Sequence, residues 1–179
     1  MSKTISLPSK IGEPTWEIAE LFYPYQGSWS VQDYLALDTN KLIEFTGGKL
    51  ELLPMPSQSH QIFVYYLFQL LQKFISKDKI GTALFSPFRI RISDHKFREP
   101  DIVFCFSKND DRRHEQFWDG ADLVMEIVSP DDPNRDIIDK RQDYAEAGIP
   151  EYWIVNPISK TITVLTLDGE TYAEHLVCN

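Results

Sequence analysis

The chain has 179 residues, of which 42% are apolar, 25% charged and 13% aromatic, an ordinary composition for one globular domain with a sizeable core. Its formal net charge of −9 argues against general adhesion to nucleic acid, where basic surfaces supply most non-specific affinity. It does not exclude nucleic-acid chemistry, because an acidic metal site adds to the deficit. Cys105 and Cys178 are too few for a disulfide framework, no apolar segment is long enough to span a bilayer, and MSKTISLPSKIGEPTWEIAE lacks a signal-peptide core, so a reduced, cytoplasmic setting is expected.

Residues 1–28 contain Pro8, Pro14 and Pro24 and show no clear period. They read as an arm, whose Trp16, Phe22, Tyr23 and Tyr25 pack on the domain or on a partner. Residues 29–179 read as one domain. Ser30 with Asp33 is the N-terminal signature of a short helix through Tyr34, Leu35 and Leu37. Leu42–Thr46 and Lys49–Leu53 flank Gly47-Gly48, a two-residue hairpin signal, and Pro54 and Pro56 stop the second strand. Ser57 to about Lys77 is the strongest helical segment. Ile62, Tyr65, Tyr66, Gln69, Leu70 and Lys73 follow three- and four-residue steps, with Gly81 as its terminator.

Two strands are expected near Thr82–Ser86 and Phe88–Ile92, with Arg89 and Arg91 on one face. A Ser-Asp-His turn leads to the strand Ile102–Phe106, then a polar loop, Ser107 to Glu115. The run Leu123-Val124-Met125-Glu126-Ile127-Val128 reads as a strand buried on both faces. A helix over about 135–147 ends at Gly148 with Pro150 beyond. Tyr152–Val155, Thr161–Leu167 and Thr171–Val177 are strands, separated by Asn156-Pro157 and Asp168-Gly169. The strand–helix–strand unit from Leu123 to Val155 implies a parallel crossover. The fold class is α/β, a mixed sheet flanked by helices.

The chemistry lies at the strand ends. Glu126 interrupts an apolar strand, and an unpaired buried carboxylate costs several kcal/mol, so it must be neutralised, paired or bound to metal. Pro100-Asp101 opens the strand before it. If the two strands are adjacent, both acids can face one divalent ion, for which Mg²⁺ is the usual oxygen-bound choice. Such an ion activates water and stabilises charge on a phosphoryl group. Lys140 on the following helix is the cation that could complete the site, and Asp136, Lys140 and Tyr144 share one helix face. The structural alternative is that Asp101 caps a turn, that Glu126 pairs with Arg89 or Arg91, and that Asp136 and Lys140 form a surface pair.

Arg98-Glu99-Pro100-Asp101-Ile102-Val103, then Glu126-Ile127-Val128-Ser129-Pro130, then Asp136, Lys140, Tyr144 and Gly148-Ile149-Pro150-Glu151-Tyr152-Trp153-Ile154-Val155 resemble the Uma-two family of bacterial restriction-endonuclease candidates. That family was formerly a domain of unknown function and is assigned to the PD-(D/E)-x-K nuclease superfamily. The resemblance extends upstream through Ile43–Leu50, Pro54-Met55-Pro56 and Ser59-His60-Gln61, covering about residues 30 to 165. It implies a restriction-endonuclease-like fold, Mg²⁺ or Mn²⁺, and hydrolysis of DNA phosphodiesters.

By matching position, the resemblance makes Asp101 and Glu126 metal carboxylates, with Glu44 a third, and places His60 at an upstream polar position. Where the superfamily carries its lysine, two residues after the second acid, this chain has Val128. The lysine role has therefore moved to Lys140 or been lost. Glu44 is otherwise a solvated strand residue, and His60 could cap, stack or bind metal. Arg89 and Arg91 are a phosphate-facing strip or counter-charges for the acids. Cleaving both strands with one site per chain makes a homodimer sensible. Two further readings stay open: a non-catalytic binding or assembly domain on the same fold, and a hydrolase of small phosphate esters.

Overall fold

A computed structural model describes residues 23–39 and 41–178; Trp16 and Phe22 of the expected arm lie outside them. The first described segment is seated on the hairpin. The Gln26 amide donates to the Leu50 carbonyl and accepts the Leu50 N–H, and the Gly27 N–H donates to the Gly48 carbonyl at 2.7 Å. Helix α1 (Val31–Leu35) starts on a capping box, in which the Ser30 hydroxyl accepts the Asp33 N–H and the Asp33 carboxylate accepts the Ser30 N–H.

Strands β1 (Ile43–Thr46) and β2 (Lys49–Leu52) form the expected hairpin. Gly47 and Gly48 both adopt positive φ there, the twist that a two-residue turn between antiparallel strands requires. Beyond β1 lies β5 (Lys96–Arg98), a strand not anticipated from the sequence, paired back to β4 (Ile90–Ser93). With the two-residue β7 (Trp118–Asp119) they complete a five-stranded sheet ordered β2-β1-β5-β4-β7. Tyr34 of α1 is buried in a cluster with Ile43, Phe45 and Phe97.

The second sheet has six strands: β3 (Gly81–Phe85), β6 (Ile102–Phe106), β8 (Leu123–Ile127), β9 (Glu151–Asn156), β10 (Thr161–Asp168) and β11 (Thr171–Cys178), in the order β11-β10-β9-β8-β6-β3. β8 and β9 are parallel, as the crossover requires, and the other pairings are antiparallel. The expected polar loop begins with a 3-10 segment, Ser107–Arg112. Period-two alternation divides β8 between two cores. Leu123, Met125 and Ile127 join Val64, Leu67 and Ile75 of α2 (Gln58–Asp78), while Val124 and Val128 join Tyr144 and Ala145 of α3 (Lys140–Glu146). Glu126 thus belongs to the α3 side. The turn before α3, Arg135–Asp139, is π-helical.

Two local expectations are corrected. The α2 residues picked out by spacing, Ile62, Tyr65, Tyr66 and Leu70, are exposed; the sheet takes the opposite face, because this helix is apolar nearly all round. The terminator of α2 is not Gly81 but Lys79, in the left-handed conformation (φ 52). Gly81 instead opens β3, where an added Cβ would stand 2.3 Å from the Cys105 carbonyl oxygen. Gly81→Ala is therefore expected to cost about 1–3 kcal/mol, as overpacking does, measured by chemical denaturation. Gly120→Ala, whose added Cβ meets nothing within 4 Å, should show only the smaller strain of its positive φ.

Candidate metal and phosphoryl site

The pairing of β6 with β8 matches Ile102 to Met125, which sets Asp101 opposite Glu126. The acids brace one another: Asp101 Oδ2 accepts the Ile127 N–H at 2.8 Å, and the Asp101 N–H points to Glu126 Oε2 at 3.4 Å. His60 approaches from the first turn of α2, where its N–H donates to the capping Ser57 hydroxyl. Its Nε2 lies 3.1 Å from Asp101 Oδ2, and its buried Nδ1 has no hydrogen-bond partner. The Asp101 carboxylate raises the His60 pKa above the usual imidazole value, with burial opposing.

From the other face, α3 supplies the counter-charge. Lys140 Nζ is 2.9 Å from Glu126 Oε1, 3.1 Å from Asp136 Oδ1 and 3.9 Å from Glu44 Oε1. One turn further on, the Tyr144 hydroxyl donates to Glu126 Oε1 at 2.5 Å. The four-residue spacing of Asp136, Lys140 and Tyr144 thus gathers three polar groups at Glu126. The Asp136–Lys140 pair is buried, not a surface pair. Burial pushes the Glu126 carboxyl up to about 8; Lys140 opposes this, while Asp101 and Asp136 reinforce it. Burial by itself would lower the Lys140 pKa, but Glu126, Glu44, Asp136 and Asp101 outweigh it and hold the ammonium charged.

Glu44 is fully buried. Its Oε2 accepts from Arg98 (3.1 Å) and Arg135 (2.7 Å), and its Oε1 accepts the Glu99 N–H. Lys140, Arg98 and Arg135 keep it ionised despite burial, which would otherwise raise its pKa. Arg98 also reaches Asp143 of α3 at 2.5 Å, and Lys96 pairs with the same carboxylate. Arg89 and Arg91 lie elsewhere: Arg89 pairs with Glu99 at 3.5 Å over the Tyr34 ring, and Arg91 pairs with Asp119 at 2.7 Å. Val128 is buried in the α3-side core, its N–H bonded to the Val155 carbonyl.

A cavity of about 470 Å³ opens over Asp101, Glu126, Asp136 and Lys140 and is also lined by His60 of α2 and by Arg135. Arg135 is the residue that sequence reasoning passed over. Its only signal was a basic side chain inside the acidic stretch Asp131–Asp136. No three His, Cys, Asp or Glu side chains converge as a closed metal cage among the described residues. Two carboxylates facing a cavity are nevertheless a fitting donor set for Mg²⁺, which keeps several waters and takes only one or two protein carboxylates.

Because the folded pKa of Glu126 lies above its unfolded value of 4.5, the proton is held preferentially by the folded state. That contribution to stability is complete below about 4.5 and is lost as pH rises through about 8. Glu126→Gln removes the loss while keeping an acceptor for Tyr144 and Lys140. Its melting temperature relative to the native chain should therefore be higher at pH 9 than at pH 6. A difference that does not change with pH would contradict the assignment. Glu99, raised by burial to about 7, contributes its own slope to both proteins and cancels in the difference.

No curated protein matches the chain. A crystal structure described as "a putative nuclease belonging to DUF820 from Anabaena variabilis ATCC 29413" superposes with a TM-score of 0.67 at 19% identity, over 81% of this chain and 83% of that one. At that identity the likeness establishes the shared fold. The family model Uma2, described as "Putative restriction endonuclease", matches residues 31–179. The chain accordingly belongs to the Uma2 family.

Proposed function

We propose that this protein is a metal-dependent endonuclease that hydrolyses DNA phosphodiester bonds, with residues 29–179 as the catalytic domain and 1–28 as its arm. The observation that carries the reading is the juxtaposition of Asp101 and Glu126 at the floor of a cavity, with a buried ammonium, Lys140, 2.9 Å from Glu126. Asp101 and Glu126 are the residues that would hold Mg²⁺ or Mn²⁺. The ion would supply Lewis-acid polarisation of a phosphoryl oxygen and lower the pKa of a water bound to it.

The remaining roles fall to the chain itself. Lys140, entering from α3 because position 128 is part of the core, orients the attacking water and stabilises negative charge developing on phosphate. Tyr144 fixes the Glu126 carboxyl, and His60 fixes Asp101. Among the described residues lining the cavity, Arg135 is the other guanidinium or ammonium group, and it suits the non-bridging oxygens of a phosphodiester. Glu44 holds Arg135 and Arg98 in place and reaches the site through Lys140. With so few cations at the cavity, DNA binding should depend only weakly on salt compared with that of basic DNA-binding proteins.

Cleavage of duplex DNA by the full chain should require Mg²⁺ or Mn²⁺, stop on chelation, and fall by about 10²-fold or more in both Asp101→Ala and Glu126→Ala. Equal trace cleavage by the native chain and the variants would mark contamination and sink the enzyme reading. Calorimetric titration with Mg²⁺ provides an independent check, since Asp101→Asn should abolish the binding heat. Lys140→Met should retain metal binding yet lose about 10²-fold or more in cleavage rate. Metal binding with no hydrolysis in the native chain would favour the non-catalytic domain, and hydrolysis of small phosphodiesters but not DNA would favour the phosphoesterase.

A further inference from the structure

The outer face of α2 has no cover among the described residues. Ile62, Tyr66, Leu70 and Phe74 are 57%, 60%, 46% and 65% exposed, and Tyr65 beside them is 64% exposed. The first four are spaced four residues apart and so form one continuous ridge along the helix, the kind that interdigitates with an equivalent ridge on a neighbouring helix. On the sheet side of the helix, Phe68 packs edge-to-face on Phe85 of β3 at 4.9 Å, and Phe85 is 52% exposed.

We propose that this face of α2 is the surface through which two copies of the chain pair about a two-fold axis. A ridge that fits the groove beside its own equivalent is self-complementary, as such an interface must be. Charge points the same way. From Gln58 to Gln72 there is no Asp, Glu, Lys or Arg in a chain of net charge −9, and Lys73 and Lys77 enter only in the last turns, so copies that repel elsewhere can approach here.

The area is also adequate. Each exposed aromatic contributes on the order of 100 Å² and the aliphatics somewhat less, giving roughly 600–800 Å² per copy, close to the ~800 Å² per partner of a standard interface. It exceeds what a monomer of this size usually leaves bare. The first two turns of the same helix carry His60 and Phe63 to the cavity wall, so the interface would adjoin the site in both copies. The pairing does not rest on the catalytic reading, because it is measured without metal or DNA.

Sedimentation of the full chain at micromolar concentration should show a dimer. Tyr66→Glu and Leu70→Glu lie at exposed positions and should preserve the circular dichroism spectrum and melting cooperativity. Each should raise the dimer dissociation constant about 100-fold or more. Leu176→Glu, on the exposed edge strand β11, should leave the dimer intact. A monomeric native chain, whether its α2 face is bare or covered by residues 1–22, would overturn the proposal. So would a dimer indifferent to both α2 substitutions, or one dissociated by Leu176→Glu instead.

Discussion

The buried ammonium of Lys140 constrains everything around it. Its Nζ is almost wholly withdrawn from solvent, with Glu126, Asp136 and Glu44 within 4 Å. An ion removed from water costs several kcal/mol unless its partners are close and well placed, so α3 can lie over the second sheet in only one register. Lys140 is the first residue of that helix and Glu126 lies within β8, so their contact ties helix to strand. The hydrogen bonds of Tyr144 to Glu126 and of Tyr152 to the Asp136 carbonyl add direction to what apolar packing would leave free to slide.

From that point a network of alternating charge runs to the first sheet. Glu44 of β1 joins Arg98 of β5 to Arg135, and Arg98 continues to Asp143 on α3. Such pairs do less for net stability than their number suggests, because their desolvation offsets most of the attraction. Their effect is geometric. They hold the hairpin sheet against α3, and with it the wall of the cavity that carries Arg135. The two acids at the cavity floor are fixed separately, by backbone hydrogen bonds across β6 and β8 that set Asp101 and Glu126 face to face.

The other side of the sheet is built on different terms. α2 places Val64, Leu67 and Ile75 against β6 and β8 and leaves an equally apolar ridge facing away. A helix apolar on two faces is covered on both in a large core or at an interface. Here one covering element is the sheet. The site therefore lies between a polar, charge-registered helix and an apolar one, with the first turn of α2 contributing His60 to Asp101.

Much of this was legible in the residue order. Local periodicity and turn chemistry located both hairpin strands, α2, and the strands from Leu123 to Cys178 to within a residue or two. The carboxylate inside an apolar run marked Glu126, and its neighbour Asp101 was found from a proline and the next strand. Four-residue spacing was enough to put Asp136, Lys140 and Tyr144 on one face. These are features of bonded neighbours, which the sequence contains.

What the sequence could not decide were choices among non-bonded partners. Spacing along α2 picked out the face of Ile62, Tyr66 and Leu70, but the sheet buries the opposite face, of Val64, Leu67 and Ile75, a choice only its position in the fold could make. β5 is three residues long, too short to show a period, and exists because β1 and β4 pair with it on either side. Glu44, Arg89, Arg91 and Arg135 are charged side chains whose sequence carries no record of which opposite charge lies nearest. Tertiary structure gave Arg135 to the cavity and Glu44 to its support, because the energy of a buried charge depends on distances across the fold and not along the chain.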